Sequence, residues 1–246
     1  TGYTWVVSYA DMGSGFSSEL PATSNFTVTV YSNADVTKPT IVSVTSVRID
    51  ASNQQIILTL ASAVQSGDTV QVVYTPGSGT NLKDIAGNVL AATTFSASQV
   101  INKTAPAELL NITSMSGDSG SLGTDFITND GTSGKVVTGT ISSALRTGEV
   151  LQVSFNGGAT WQTATTTGTS WTATDSSGHT GNWTIQGKVV SSTNINGAVA
   201  TQNIIYDNLA PVVPTVDSLI LASPTPPKIS GLAQILVSDV LTITIN

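Results

Sequence analysis

The stretch Trp183-Thr-Ile-Gln-Gly-Lys-Val189 alternates apolar and polar side chains with a period of two. In a β-strand, this alternation places one set of side chains on the core face and the other set on the solvent face. Short strands of this kind, separated by turns rich in Gly, Asn, Asp and Ser, predict β-sandwiches, and no window carries a capped helical stripe. The same alternation recurs at Phe26–Val30, Ile56–Leu60, Val70–Tyr74, Val150–Phe155 and Leu241–Ile245.

Two motifs that end in Ala-Pro divide the chain: Asn102-Lys-Thr-Ala-Pro106 and Asp207-Asn-Leu-Ala-Pro211. Each follows a predicted final strand, and its proline cannot donate to a strand ladder, so we expect the chain to leave one sheet there and enter another. We therefore predict an all-β fold of tandem Ig-like, Greek-key sandwich domains in an elongated array. The predicted domains are residues 1–103, residues 104–209 and, as the opening strands of a further repeat, residues 210–246.

Composition excludes several classes of function. The 246 residues contain no Cys, which rules out a disulfide framework, a thiolate metal site and a cysteine nucleophile. The formal net charge of −7 argues against a phosphate backbone as partner and is compatible with binding of hard cations. Because no apolar run reaches the ~18 residues that a membrane helix needs, we expect no membrane span in this chain.

The opening segment carries a set of motifs that resembles a known class of repeat. It is similar to the swimming-motility-type and cadherin-like repeats of giant bacterial surface proteins, with the usual first strand of that repeat expected to be missing before Thr1. The resemblance rests on Trp5-Val-Val-Ser-Tyr-Ala-Asp11, Asn25-Phe-Thr-Val-Thr-Val30, Gly67-Asp-Thr-Val-Gln-Val-Val-Tyr-Thr75 and Asp84-Ile-Ala-Gly-Asn88.

The second segment resembles the bacterial Ig-like repeats of the same class of proteins. Its motifs fall in the order of that repeat: Thr104-Ala-Pro106, Gly117-Asp-Ser-Gly120, Asp125-Phe-Ile-Thr-Asn-Asp130, Gly148-Glu-Val-Leu-Gln-Val-Ser154 and Gly158-Ala-Thr-Trp161. The resemblance implies an RTX-type, biofilm-associated adhesin that is exported by Type I secretion to the bacterial cell surface. The implied partners are neighbouring repeats of the same polypeptide and, beyond them, host or biofilm-matrix ligands, with no nucleic acid.

The densest acidic region is the candidate cation site. Calcium takes six to eight oxygen ligands, and turns rich in Asp, Asn and Gly supply carboxylate, amide and carbonyl oxygens. By analogy with the family, we predict Ca²⁺ at a domain junction; the alternative is that these residues form Asx turns with solvated side chains. The predicted ligands are Asp118, Asp125, Asn129 and Asp130, together with Asp207 and Asn208 of the second Ala-Pro linker.

Asp84-Ile-Ala-Gly-Asn88 is a further acidic turn. Asp84 is a candidate calcium ligand because the same turn recurs in the resembling repeats. The simpler interpretation is a β-turn in which Gly87 and Asn88 tolerate positive φ, since one carboxylate cannot hold calcium without substantial help.

Two residues are candidates for ligand binding, namely Trp171 and His179. Exposed aromatic side chains on β-sandwiches can stack on sugars, whereas burial is the commoner fate of tryptophan, and we assign Trp183 to the core. His179 is the only histidine and lies in a Gly/Ser-rich stretch that predicts a solvated loop. No nucleophile elbow, phosphate loop or carboxylate pair in an apolar cleft accompanies it, so we predict no catalytic residues and no enzyme.

The sequence thus predicts a structural extender of a cell-surface adhesin, made rigid by calcium at its junctions and supporting adhesion and biofilm formation. Two alternatives remain open. One is a module that binds a glycan or peptide ligand, and the other is a subunit of a surface layer or filament whose incomplete end modules are completed by neighbouring chains.

Overall fold

Strands account for nearly all of the regular structure. The structure, a computed structural model, describes residues 3–8, 17–33, 35–50, 55–120, 122–213, 215–216 and 231–232. In these residues the only helical element is the 3-10 turn Thr23–Asn25. No helix in them is long and apolar enough to cross a membrane. The all-β fold is therefore confirmed.

The first group of strands forms two antiparallel sheets. One sheet has the order β1-β5-β4 and the other has the order β3-β2-β6-β7. The strands are β1 (Tyr3–Ser8), β2 (Phe26–Ser32), β3 (Asp35–Val42), β4 (Val44–Asp50), β5 (Gln55–Leu60), β6 (Thr69–Tyr74) and β7 (Thr93–Phe95).

Alternate residues of these two sheets build one hydrophobic core, as the period of two predicts. Val28 of β2, Leu58 of β5 and Val72 of β6 are each at most 1% exposed. The ring of Tyr74 is also buried, and its hydroxyl accepts a hydrogen bond from the backbone N of Leu82 at 2.9 Å. The buried hydroxyl is thereby satisfied.

The second group of strands forms two further sheets. Their orders are β13-β14-β10-β8 and β12-β11-β15-β16-β9, and β9 runs parallel to β16. The first, third, sixth and seventh strands of the group share one sheet, so the chain passes between the two sheets, as in immunoglobulin-type sandwiches. The strands are β8 (Leu110–Met115), β9 (Ile127–Thr128), β10 (Lys135–Ile141), β11 (Val150–Ser154), β12 (Gln162–Thr163), β13 (Thr165–Thr167), β14 (Ser170–Asp175), β15 (Trp183–Val190) and β16 (Ala200–Tyr206).

The inward face of β15 carries the apolar side chains of the alternating stretch Trp183–Val189. Trp183, Ile185 and Val189 are buried, so the assignment of Trp183 to the core is confirmed. Trp171 of β14 is 2% exposed and lies opposite Gly139 of β10. A Cβ atom at position 139 would meet the Trp171 indole at 2.5 Å, so the absence of a side chain there makes room for the ring.

The chain divides into two compact units. Unit 1 comprises Thr1–Glu108, Ser143–Leu151 and Lys188–Ala198, and unit 2 comprises Leu109–Ser142, Gln152–Gly187 and Val199–Asn246. The boundaries at 103/104 and 209/210 stay a prediction. In the last segment, β17 (Thr215–Val216) pairs with β18 (Gly231–Leu232), and the predicted strand Leu241–Ile245 lies outside the described residues.

Candidate functional site

Residues 117–120 and 122–130 of unit 2, which follow β8 and include β9, form a double loop that contains four of the predicted calcium ligands. Thr128 fastens the two halves, because its Oγ1 donates to the carbonyl of Gly117 at 2.6 Å and accepts from the N of Asp130 at 3.0 Å. Ser119 Oγ adds a second link by accepting from the N of Asn129 at 2.9 Å. Since Thr128 is 1% exposed, the hydroxyl at the centre of this network is shielded from water.

Asp118 has two carboxylate oxygens in different environments. Its Oδ2 accepts a hydrogen bond from the N of Phe126 at 3.1 Å, whereas its Oδ1 is buried and has no hydrogen-bond partner. Burial raises the pKa of the Asp118 carboxyl, the hydrogen bond from Phe126 opposes the rise, and the negative charge of Asp125 adds to it. Burial of this oxygen without a hydrogen bond favours a protonated carboxyl group or a bound cation over a bare carboxylate.

Phe126 holds the loop in an uncommon backbone conformation. Its φ is 61°, in the left-handed region that residues with a side chain seldom adopt, while its ring is 7% exposed. Its N bonds Asp118 and its carbonyl accepts from the N of Ile205 at 2.9 Å. Burial of the ring and these two bonds offset the backbone cost of about 1–2 kcal/mol. Sequence patterns did not identify this residue, because neither φ nor its partners can be inferred from them.

Two further predicted ligands, Asp207 and Asn208, border a cleft beside the double loop. The cleft has a volume of about 390 Å³ and is lined by polar and apolar side chains of unit 2. Asp207 is anchored there, since its N donates to the carbonyl of Thr128 at 2.9 Å and its Oδ1 accepts from the N of Leu209 at 3.1 Å. The lining residues include Ser119, Thr128, Asn129, Asp207, Asn208 and Leu209.

The oxygen donors of this region fit a hard cation, but the acidic side chains alone do not form a complete site. Carboxylate, amide, hydroxyl and carbonyl oxygens all occur between residues 117 and 130 and in the linker that starts at Asp207. Among the described residues, however, no group of three or more His, Cys, Asp or Glu side chains is arranged to hold a metal ion. A cation here would therefore take part of its coordination from amide and backbone oxygens and from water. The calcium prediction stays a prediction.

Asp130 has a different environment from the other acids of the double loop. Its Oδ2 lies 2.7 Å from the Nζ of Lys135, a side chain that is 3% exposed, and its Oδ1 accepts two bonds from Thr132. The Lys135 ammonium and these bonds hold the pKa of Asp130 well below its usual range. Because a buried ammonium already neutralises Asp130, a role as calcium ligand has less support for this residue than for Asp118.

Asp84 lies in unit 1, away from the double loop in sequence, and forms a local turn. Its two carboxylate oxygens accept from the N and the Nδ2 of Asn88 at 2.8 and 2.7 Å, and Gly87 has a φ of 90°. These bonds lower the pKa of Asp84. The geometry is that of the β-turn given as the simpler interpretation, and of its two candidate residues only Gly87 has a positive φ.

The two candidate ligand-binding residues lie in unit 2 and are both covered. The Trp171 indole is 2% exposed, so it presents no open face on which a sugar could stack. The His179 side chain is 12% exposed, and its Nε2 lies 2.7 Å from Oδ2 of the buried Asp175. The expectation of a solvated loop histidine is wrong for the side chain, because an acid four residues earlier and the ring of Trp183 hold it.

Comparison with known families gives a match for one segment of the chain. Residues 1–79 match the model of the SWM_repeat family, described as a "Putative flagellar system-associated repeat". This match confirms the similarity of the opening segment to repeats of that kind and is consistent with a structural role in a repeat-containing surface protein. A comparison with curated proteins gives no match.

Proposed function

We infer that this chain is a non-enzymatic, structural part of a bacterial cell-surface adhesin, built from tandem β-sandwich repeats that carry a ligand-binding end away from the cell. Calcium bound at the loops beside the linkers makes the repeats rigid, and the array supports adhesion and biofilm formation. The extracellular location, the RTX-type export and the other repeats as partners belong to the same proposal.

The observation that carries the calcium part is the buried, unpartnered Oδ1 of Asp118 in a loop that hydrogen bonds hold in place. Burial of an ionised carboxylate without a partner costs free energy, and a bound divalent cation removes that cost. Because Thr128 and Ser119 fix the loop without metal, calcium would bind a largely prearranged set of oxygens rather than create it.

The cleft beside the linker gives calcium a mechanical role in this proposal. Asp207 and Asn208 begin the segment that leads out of β16, and the backbone of Asp207 is tied to the double loop through Thr128. A cation that bound both Asp118 or Asp125 and the linker oxygens would restrict the directions in which the chain continues. Without the cation, like charges would repel and the linker would sample more directions.

Solution scattering of the full chain tests this proposal. With calcium, the distribution of interatomic distances should be narrower and more extended than with a chelator, and the melting temperature should rise because calcium binds the folded state. The same comparison with magnesium, and with the variant Asp118→Asn/Asp125→Asn, serves as the control. Profiles that superimpose with calcium and with chelator would exclude a calcium-stiffened extender.

The two alternative functions have less support. Glycan or peptide binding through Trp171 requires an indole face that the fold buries. A subunit of a surface layer or filament stays a prediction, and analytical ultracentrifugation over a range of chain concentrations would detect its assembly.

A further inference from the structure

The turn Gln65-Ser-Gly-Asp68 of unit 1 is closed by its own acid. The N of Gln65 donates to Oδ2 of Asp68 at 2.9 Å, and the N of Asp68 donates back to the carbonyl of Gln65 at 3.2 Å. At Gly67, with a φ of 78°, a Cβ atom would lie 2.5 Å from Nδ2 of Asn33, so the glycine allows Asn33 to approach. Since the N of Asn33 donates to Oδ1 of Asp68 at 3.1 Å, both carboxylate oxygens have backbone donors.

Arg146 binds the side chains of this turn. Its Nη2 lies 2.5 Å from Oδ1 of Asp68, and its Nη1 donates to Oε1 of Gln65. The Asp68 side chain is 6% exposed and that of Arg146 is 18% exposed, so the ion pair is largely shielded from water. Two nitrogens of one planar guanidinium thus reach two acceptors, a geometry that the compact ammonium of a lysine does not reproduce.

The turn that begins at Arg146 presents the guanidinium in a defined position. The N of Arg146 donates to Oε2 of Glu149 at 2.9 Å, and the N of Glu149 donates back to the carbonyl of Arg146 at 3.0 Å, the same closure as in the first turn. The carbonyl of Thr147 accepts from Nδ2 of Asn33. Although Oε1 of Glu149 is buried without a hydrogen-bond partner, Arg146 is directed to Asp68. The two turns are therefore joined by an ion pair and by the Asn33 side chain.

The first Ala-Pro linker is fixed to the same turn through the backbone of the turn. Nδ2 of Asn102 donates to the carbonyls of Gln65 and Asp68 at 2.6 and 2.9 Å, and Oδ1 of Asn102 accepts from the N of Thr104 at 2.9 Å. The carbonyl of Asn102 accepts from Oγ1 of Thr193 at 3.3 Å. Asn102 thus binds the backbone of the two residues whose side chains bind the guanidinium.

We propose that the turn Gln65–Asp68 is a docking site for an arginine-bearing turn supplied by the chain beyond the linker, and that this contact holds the linker in place without a metal ion. Asp68 supplies the negative charge and Gln65 a second acceptor, which together suit a guanidinium. A divalent cation is not needed at this turn, because Arg146 already neutralises the buried carboxylate. We call the contact of Arg146 with Gln65 and Asp68 the arginine latch.

The arginine latch goes beyond the function proposed above, since it makes one linker independent of calcium. It shares no residue with the double loop of unit 2, and control by calcium then applies to the linker that starts at Asp207. Loss of the guanidinium would leave the Asp68 carboxylate buried without its counter-ion, which is costly. The turn would then open more often, and Asn102 would lose the two carbonyls that hold it.

Hydrogen–deuterium exchange of the full chain in chelator tests the proposal with Arg146→Gln. Peptides that cover residues 102–106 should exchange about tenfold faster or more, the factor that corresponds to the loss of one hydrogen bond to a charged group. Peptides from the centres of β5 and β15 should be unchanged. Arg48→Gln, at the other arginine of the chain, whose side chain is 64% exposed, is the matched control and should exchange as the unaltered chain does.

Arg146→Lys separates a docking site for arginine from a simple need for positive charge. Because lysine keeps the charge and loses the two-pronged geometry, exchange at residues 102–106 should lie between that of the unaltered chain and that of Arg146→Gln. A lysine variant that matches the unaltered chain would contradict a site that fits arginine.

Three results would overturn the arginine latch. They are unchanged exchange at residues 102–106 in Arg146→Gln, an equal increase in β5 and β15, which would indicate a general loss of stability, and faster exchange at residues 102–106 when chelator replaces calcium in the unaltered chain. Residues 117–130 report on the other proposal in the same experiment. If they do not respond to calcium, the calcium part of the proposed function fails and the latch stands.

Discussion

The Nε2 atom of His179 lies 2.7 Å from Oδ2 of Asp175, and the imidazole stacks on the indole of Trp183 with ring centroids 4.1 Å apart and an interplanar angle of 5°. Asp175 is 2% exposed, so its carboxylate depends on this contact and on the N of Ser177, which donates to Oδ1 at 2.9 Å. The backbone of His179 also donates to the carbonyl of Gly131 at 2.8 Å. This one histidine therefore fastens the loop after β14 to the core and to Gly131, which directly follows the double loop.

Removal of the imidazole should destabilise the fold rather than abolish a ligand site. His179→Ala leaves the Asp175 carboxylate buried with one fewer partner, and we expect a loss of about 1–3 kcal/mol in the free energy of unfolding. Urea denaturation followed by tryptophan fluorescence measures it. Thr180→Ala, at an exposed neighbour, should have an effect within about 0.5 kcal/mol. Equal stability of the two variants would show that the Asp175 contact contributes little.

A side chain at position 139 should conflict with the packing of Trp171. A Cβ atom there would collide with the backbone oxygen of Asn111 and lie 2.5 Å from the indole. Gly139→Ala should therefore lower the free energy of unfolding by at least about 1–3 kcal/mol, the usual cost of overpacking. Gly181→Ala, where a Cβ would meet nothing within 4 Å, is the control. Circular dichroism melts of the two variants should differ by several degrees, and identical melts would contradict the packing described.

The Lys135–Asp130 ion pair should make stability depend on pH. The pKa of Asp130 is lowered in the fold, so the pair stabilises the protein above the ordinary carboxyl pKa, and the contribution is lost as pH falls through the lowered value. Asp130→Asn leaves the buried ammonium of Lys135 without its counter-ion. Because Asp130 is itself 35% exposed, we expect a cost of about 1–2 kcal/mol at neutral pH, below the figure for fully buried pairs.

Denaturation of this variant and of the unaltered chain between neutral and acid pH measures the difference. The two stabilities should converge as the pH falls. A difference that stays constant over this range would mean that the ion pair is not its source.

Asp118 should have the opposite pH dependence. Its pKa is raised in the fold, mainly by burial, so the protonated form is favoured there and stability is lost as pH rises through the raised value. Without calcium, Asp118→Asn should therefore be at least as stable as the unaltered chain at neutral pH. With calcium, the order should reverse, because only the carboxylate binds the cation. A variant that is less stable in both conditions would argue against a lone buried charge at this position.

The strands could be predicted from sequence because alternation is local. Phe26–Val30, Ile56–Leu60 and Val70–Tyr74 lie within β2, β5 and β6, with shifts of one or two residues at their ends. Each pattern reports directly on which side chains face the core.

The environments of the acids could not be predicted in the same way. Arg146 and Asp68 are separated by 78 residues, and whether a carboxylate has a guanidinium, an ammonium or no partner depends on contacts of that range. The density of acidic residues in the sequence therefore favoured Asp130 as a calcium ligand, although Lys135 neutralises it. It gave no reason to consider Glu149, because the unpartnered oxygen of that side chain is evident only from its burial in the structure. The sequence predicted a solvated His179 side chain for the same reason.

Hydrogen–deuterium exchange measured by mass spectrometry on the full chain, with calcium and with chelator, tests the central claim most directly. The account predicts that calcium slows amide exchange in peptides that cover residues 117–130, and leaves the turn at Asp84–Asn88 and the centre of β15 unchanged. Exchange in residues 117–130 that is the same with and without calcium would contradict it.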